Sequence, residues 1–247
     1  MRNIQLVLEY DGSRYDGWQK QPKYPNRVMI QDKVEAVLSQ MEGEEIQLVG
    51  AAKTEAGVHA YAQVANFQTN STMKVYEIKH YLNRYLPRDI AVKEALEVPE
   101  RFHSSYNAKS FVYEYKIGIG EVPNVFARKY SYYCFDSLDL LKMRQAAEYL
   151  KGKHDFKAFS DNKKQKKSTE RELFDIDIYG DKEEVLITLH GDDFWPFMVR
   201  IIVATLLEVG TGKMEPQYVE QIIEKKDRNL APAAADAKGL FLTDVKY

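Results

Sequence analysis

The chain has 247 residues, a formal net charge of −2 and one cysteine, Cys134. This length can bury a core in one large domain or two small ones, and the single cysteine excludes an internal disulfide framework and is typical of a reducing compartment. Aromatic residues make up 12% of the chain, which disfavours a disordered protein, and the net charge of −2 tells against a nucleic-acid partner, because nucleic-acid-binding domains are often basic overall.

The sequence contains no pattern for membrane insertion. No apolar run approaches the roughly 18 residues that a membrane span needs, and residues 1–3 lead into a predicted strand without the pattern of a signal peptide. The sequence therefore predicts a cytoplasmic protein that does not enter a membrane.

Strand and helix patterns alternate in the N-terminal half. Apolar residues alternate over residues 4–10, as in a strand with one buried face, and an apolar helical stripe follows over residues 30–41. Residues 46–51 and 58–67 are predicted strands, residues 75–85 a second helix and residues 90–98 a further strand. This order, β-α-β-β-α-β, is the ferredoxin-like arrangement.

The C-terminal half repeats this order in outline. The pattern predicts a strand over residues 111–117, a helix that Asp136 or Ser137 caps and that ends near Gly152, a hairpin over residues 173–190, an apolar helix over residues 198–206, a shorter helix from Pro216 and a last strand over residues 240–245. We therefore predict an α+β fold of two ferredoxin-like units, residues 1–104 and 105–247. Their sheets are expected to merge into one mainly antiparallel sheet, with a cleft between the units.

The most informative stretch is the turn between the two predicted strands in residues 46–67. It reads Gly-Ala-Ala-Lys-Thr-Glu-Ala-Gly-Val-His-Ala over residues 50–60 and places Lys53, Thr54 and Glu55 side by side. Charged residues on a hairpin are usually only solvated. Here small residues surround the charges, as expected where backbone or a ligand comes close, and Gly57 can adopt a positive φ that redirects the chain.

A single cation interrupts the apolar segment of residues 194–203. Arg200 lies on the predicted helix of this segment, and a buried arginine is costly unless a carboxylate meets it. The alternative is that its charged end reaches solvent from the edge of the helix.

Basic side chains are concentrated between residues 151 and 171. Lys163, Lys164, Lys166 and Lys167 form the densest part of this segment. A basic loop of this kind can bind phosphate groups by counterion release, and a solvated linker is the alternative.

Two other patterns carry no functional prediction. Residues 210–213, Gly-Thr-Gly-Lys, follow a helix and lack the spacing of a phosphate-binding loop, so they predict a helix C-cap. The histidines are scattered without metal-ligand spacing, so we predict no metal site.

Four segments resemble the tRNA pseudouridine synthase A family, whose signature reads Ala-Gly-Arg-Thr-Asp-Ala-Gly-Val-His-Ala. Residues 51–60 match this signature with Ala52, Lys53 and Glu55 in place of glycine, arginine and aspartate. Residues 10–19 match Tyr-Asp-Gly-x-x-Tyr-x-Gly-Trp-Gln, residues 83–90 match Asn-x-x-Leu-Pro-x-Asp-Ile, and residues 194–203 match Phe-x-x-x-Met-Val-Arg-x-Ile-Val.

The resemblance implies a homodimeric enzyme that isomerises uridine to pseudouridine in the anticodon arm of tRNA without a cofactor. Carried over residue by residue, it makes Glu55 the catalytic carboxylate and Arg200 its ionic partner. It also implies that Tyr113 stacks on the target base, that Leu240 lines the base pocket, and that Lys53 and Thr54 contact the substrate. From the strand pattern alone, Tyr113 could equally be a core aromatic residue.

Two alternative functions stay open at this point. A catalytically impaired RNA-binding relative would account for the substitutions in the signature turn and for Ser105, Phe111 and Val112 where the family usually has basic residues. An unrelated carboxylate enzyme, such as a glycoside hydrolase, would need a second acidic residue, and no motif ties one to Glu55.

Overall fold

The computed structural model describes residues 1–24, 26–161 and 168–247. In these ranges the chain forms ten β-strands and five α-helices. It divides into two compact units, Met1–Lys109 with Phe241–Tyr247, and Ser110–Leu240. The α+β fold class predicted from the sequence is confirmed.

The elements follow in chain order. The first are β1 (Arg2–Tyr10), α1 (Ile30–Glu42), β2 (Val49–Gly50), β3 (His59–Thr69), α2 (Val75–Tyr85) and β4 (Ile90–Val98). They are followed by β5 (Ser110–Gly118), β6 (Tyr132–Tyr133), α3 (Leu140–Leu150), β7 (Gly152–Asp155), β8 (Glu170–Gly180) and β9 (Glu184–Gly191). The last are α4 (Met198–Gly210), α5 (Tyr218–Lys225) and β10 (Leu240–Lys246).

The sheet of the first unit has β1 in its centre. β4 and β3 flank β1 on either side, both antiparallel to it. Beyond β3, β2 pairs antiparallel with residues 65–66 of β3, and β10 pairs parallel with residues 59–60. Ile4, Leu6 and Leu8 of β1 are fully buried, because alternate residues of a strand face the same side.

The predicted strand over residues 46–51 shortens to the two residues of β2. The reason lies in α1, whose side chains accept hydrogen bonds from backbone N–H groups of this segment. A neighbouring strand would otherwise accept these hydrogen bonds. The N–H of Ile46 donates to the hydroxyl of Ser39 and the N–H of Leu48 donates to the carboxylate of Glu35. The segment is therefore apolar and buried, but it is held by a helix.

The sheet of the second unit has the order β5-β9-β8-β7, with antiparallel neighbours, and β6 adds to β5 in parallel. The sequence did not predict β6 and β7, which are short and lack apolar alternation. The helix α3 is capped by Asp139, whose carboxylate accepts the N–H of Lys142, and this corrects the predicted cap at Asp136 or Ser137. Residues 210–213 end α4, as predicted.

The division of the chain differs from the expected boundary between residues 104 and 105. The first unit extends to Lys109 and also includes Phe241–Tyr247. The last strand belongs with the first unit because Phe241 and Leu242 pair with His59 and Ala60 of β3.

Candidate active site

The turn of residues 51–58 joins β2 to β3 and presents its three chemically active residues differently. Lys53 is exposed, Thr54 is buried and Glu55 is half-buried. Gly57 has a φ of 77°, so the left-handed conformation predicted for it is confirmed. The turn thus carries a cation and a carboxylate towards its accessible side and a hydroxyl towards its base.

The segment after β1 holds this turn by backbone contacts. The N–H of Trp18 donates to the carbonyl of Thr54 at 3.0 Å, and the N–H of Gly57 donates to the carbonyl of Tyr15 at 3.2 Å. Gly17 and Glu55 form an isolated antiparallel bridge. Two segments that are about 40 residues apart in the sequence, the Tyr-Asp-Gly motif and the signature turn, therefore form one structure in which the backbone of Glu55 is fixed.

Small residues allow the close approach within this structure. A Cβ atom on Gly50 would lie 2.1 Å from Nε1 of Trp18, and one on Gly12 would lie 2.0 Å from the carbonyl oxygen of Val58. The sequence predicted that backbone or a ligand approaches the small residues of the turn. At Gly50 the approaching group is the indole ring of Trp18, which is buried.

Buried polar groups fix the base of the turn. The hydroxyl groups of Tyr10 and Thr54 are hydrogen-bonded, and the side-chain amide of Gln63 bonds both the N–H and the carbonyl of Ala52. Burial raises the pKa of the Tyr10 phenol well above its ordinary value, so this hydroxyl stays protonated. The hydroxyl of Thr54 is used inside the protein, and its expected contact with substrate stays a prediction.

His59 is a further anchor that the sequence did not single out for a role. Its Nδ1 accepts the N–H of Gly12 at 3.0 Å, and its ring stacks on Phe241 with 4.7 Å between the ring centres. Asp11 Oδ1 lies 3.3 Å from the same nitrogen. The only available signal was the position of His59 inside the signature.

Tyr113 and Leu240 lie in the second unit. Tyr113 is on β5, 9% exposed, and meets the ring of Phe194 edge to face with 5.2 Å between the ring centres. Leu240 is the first residue of β10 and is 3% exposed. Both side chains pack against protein, and their expected contacts with the target base stay predictions.

Arg200 lies in the first turn of α4 and is half-buried. Its Nε donates to the carbonyl of Ala235 at 2.6 Å, and the N–H of Ala235 donates back to the carbonyl of Arg200. The guanidinium lies over the ring of Phe197, 5.4 Å from its centre. Phe197, the N-cap of α4, has a φ of 66°, which is rare for a bulky residue and typical of functional sites.

The structure thus brings Lys53, Thr54 and Glu55 together on one turn of the first unit, whereas Tyr113, Arg200 and Leu240 belong to the second unit. The expected pairing of Arg200 with Glu55 joins residues of different units and stays a prediction. The basic residues predicted to contact RNA, Lys163, Lys164, Lys166 and Lys167, lie outside the described residues.

No group of three or more histidine, cysteine, aspartate or glutamate residues in the described ranges could hold a metal ion. Among the helices of the described residues, none has the length and hydropathy required to cross a membrane.

The chain is similar to known proteins along its whole length. The model of a family described as tRNA pseudouridine synthase matches residues 6–107 and 146–247. The chain is 43% identical to tRNA pseudouridine synthase A 2 of Bacillus cereus, 45% identical to tRNA pseudouridine synthase A of a Bacillus species, and 44% identical to tRNA pseudouridine synthase A 1 of Clostridium tetani. Each of these matches covers 100% of both chains.

These matches run along the whole chain and define its class, the pseudouridine synthases. The chain belongs to the tRNA pseudouridine synthase family, and the resemblance stated from the sequence is confirmed.

Proposed function

We propose that this protein isomerises uridine to pseudouridine in the anticodon arm of tRNA, with Glu55 as the catalytic carboxylate. The observation that carries the proposal is the membership of the family together with the position of Glu55, half-buried on a turn whose backbone is fixed by the segment after β1. A positioned carboxylate is the group that this reaction requires at the sugar.

The proposed mechanism separates uracil from its ribose, turns the base and rejoins it through carbon 5. Glu55 attacks the sugar or removes a proton from it, and Arg200 is its proposed ionic partner. Tyr113 supplies an aromatic surface for a base that has left the stack, and Leu240 lines the pocket for this base. Lys53 and Thr54 contact the nucleotide. The bond between the ribose and N1 of uracil breaks and a bond between the ribose and carbon 5 forms, carbon 5 loses its proton and N1 gains one, so the reaction is an isomerisation that needs no cofactor.

The side chain of Glu55 is longer than that of aspartate by one methylene group. A displacement of about 1 Å in a reacting group can change a rate by roughly a hundredfold, so the backbone of the turn has to hold the longer side chain in a compensating position. Lys53 keeps the positive charge of an arginine but lacks its planar fork, which lowers its ability to bind a phosphate through two hydrogen bonds.

The partners proposed for this chain are tRNA and a second copy of the chain, in the cytoplasm. Lys163, Lys164, Lys166 and Lys167 are proposed to contact RNA phosphates, because cationic side chains gain free energy from the counterions that RNA releases.

A catalytically impaired RNA-binding relative is the second candidate function. The observation that favours it is the presence of Lys53 and Glu55 in the signature turn in place of arginine and aspartate. Such a protein would keep the RNA surface and the turn but would not turn over uridine.

The experiment that separates the two functions uses unmodified tRNA transcripts and excess protein. Pseudouridine that appears at positions in the anticodon arm supports the synthase. Tight tRNA binding with no pseudouridine at any position supports the impaired relative. Pseudouridine that appears only outside the anticodon arm would support the synthase activity but contradict the proposed position of the target.

A further inference from the structure

Asp89 holds the side chain of Arg14 in one orientation. Nε and Nη2 of Arg14 donate to Oδ2 of Asp89 at 3.0 and 2.7 Å, and the hydroxyl of Tyr15 donates to Oδ1 at 2.6 Å. Both oxygens of the carboxylate are therefore used, and the side chain of Asp89 is only 15% exposed. The Asp89 hydrogen bond also raises the pKa of Arg14, so the guanidinium is always charged.

Backbone hydrogen bonds tie the segment that carries Arg14 to the residue Asp89 and to the turn of Glu55. The N–H of Asp11 donates to the carbonyl of Asp89, which ties the start of the segment to the residue before β4. One residue after Arg14, the carbonyl of Tyr15 accepts the N–H of Gly57 from the signature turn. Arg14 thus belongs to the segment whose backbone fixes the turn of Glu55.

A second arginine of the same unit, Arg2, forms an ion pair in which all of its side-chain nitrogens contact the protein. Arg2 grips Glu97 with the same two nitrogens, and its Nη1 donates to the carbonyls of Ser71 and Met73, both at 2.8 Å. All three nitrogens of Arg2 are used, and its side chain is 27% exposed.

Arg14 differs from Arg2 at the edge of its guanidinium that faces away from the carboxylate. Its side chain is 73% exposed, and within the described part of the chain its Nη1 donates to no carbonyl or carboxylate. An arginine that is held on one edge and open on the other keeps donors available in a fixed direction. An acceptor that binds there meets a side chain that has already lost its rotational freedom.

Other charged side chains lie in the same segment as Arg14 and in the signature turn. Lys53 adds a second exposed cation on the turn itself. Of the nearby carboxylates, Asp11 accepts the N–H of Ser13 and Asp16 accepts the N–H of Val28. These two carboxylates are thus engaged with backbone groups of their own segment.

We propose that Arg14, oriented by Asp89, binds a phosphate group of the RNA backbone next to the target nucleotide. The proposal rests on the proposed function, since it names a contact of that same substrate. A phosphodiester oxygen is the acceptor that matches an exposed, permanently charged guanidinium edge. The role of Asp89 is to orient Arg14, and Asp89 itself does not touch the RNA.

The test measures the affinity for an unmodified tRNA transcript at several salt concentrations, with Arg14→Gln, Arg14→Lys and the control Arg2→Gln. Each phosphate contact contributes about 0.7 to 0.9 to the slope of log Kd against log salt. We expect Arg14→Gln to lower this slope by about that amount and to weaken binding about five- to tenfold near 0.1 M salt. We expect Arg14→Lys to leave the slope unchanged and to lose less affinity than Arg14→Gln. We expect Arg2→Gln to leave both the slope and the affinity unchanged.

The outcomes separate this inference from the proposed function. A slope and a Kd that are unchanged in Arg14→Gln, with pseudouridine formed by the parent, overturn the inference and leave the function intact. A lowered slope in Arg14→Gln, together with a parent that binds tRNA but forms no pseudouridine, supports the phosphate contact and overturns the catalytic part of the function. A parent that binds no tRNA at any salt concentration overturns both.

Discussion

The hydroxyl groups of Tyr10 and Thr54 lie 2.7 Å apart at the base of the turn that carries Lys53 and Glu55. Both side chains are buried, at 3% and 7% exposure, so this hydrogen bond is shielded from water. It connects the end of β1 to the residue directly before Glu55. The position of the carboxylate therefore depends on a hydroxyl pair in the core.

This relationship predicts coupled effects on stability. Tyr10→Phe or Thr54→Val alone leaves a buried hydroxyl without this partner, which costs about 1–3 kcal/mol. The double variant leaves neither hydroxyl, so we expect it to cost less than the sum of the two single variants by about 1 kcal/mol. Urea denaturation of the three variants and the parent measures the difference. Strictly additive losses would show that the two hydroxyls do not interact.

Burial of Tyr10 predicts a loss of stability at alkaline pH. The pKa of its phenol is raised in the folded protein, whereas an unfolded tyrosine ionises near pH 10. The stabilisation is therefore fully present below about pH 10 and is lost as the pH rises from there towards the folded pKa. We expect Tyr10→Phe to flatten the decline of unfolding free energy between about pH 10 and 11.5. An equally steep decline in the variant would contradict this.

Gly12→Ala tests the close approach of the segment after β1 to the signature turn. The new Cβ atom would lie 2.0 Å from the carbonyl oxygen of Val58, which is backbone and cannot rotate away. We expect a loss of about 3 kcal/mol or more, measured by thermal denaturation. The control is Gly43→Ala, where φ is 76° but no atom lies within 4 Å, and a loss of about 1 kcal/mol is expected. Equal losses would mean that space at Gly12 is not limiting.

Tyr115→Phe tests the support of Arg200. The hydroxyl of Tyr115 donates a hydrogen bond to the carbonyl of Asp236. The carbonyl of the preceding residue, Ala235, accepts a hydrogen bond from Nε of Arg200. If Arg200 acts in the chemical step as proposed, the variant should lower kcat about tenfold with little change in KM, because the loss falls on the transition state.

The matched control for this variant is Tyr247→Phe in the other unit. Its hydroxyl also donates to a backbone carbonyl, that of Ser104, at 2.8 Å. We expect both variants to lose about 1 kcal/mol of stability, and only Tyr115→Phe to lose kcat. A similar kcat in the two variants would show that Tyr115 has a structural role alone.

Local patterns were sufficient for most elements of the fold. The helical stripes predicted α1 and α2, and alternation predicted β1 and β4, since these patterns follow from the period of each element. The short strands β6 and β7 were not predicted. Their residues carry no apolar alternation, and β7 forms only because Gly152 and Asp155 pair with Leu173 and Glu170 across the chain.

The candidate site divides in the same way. The turn and its glycine conformation followed from residues 50–60, and the family from four local motifs. The contacts that fix the turn could not be predicted, because they join distant segments. Asp89 meets Arg14 across 75 residues, and neither side chain differs in the sequence from an ordinary surface charge.

The most direct measurement is nucleoside mass spectrometry of a pseudouridine-free tRNA pool after incubation with the parent, Glu55→Asp and Glu55→Gln. We predict pseudouridine with the parent and with Glu55→Asp, and a loss of at least a hundredfold in rate with Glu55→Gln, which keeps the shape but removes the charge. The tRNA affinity of all three should be similar. Pseudouridine formed by Glu55→Gln at the rate of the parent would contradict the assignment of Glu55 as the catalytic carboxylate.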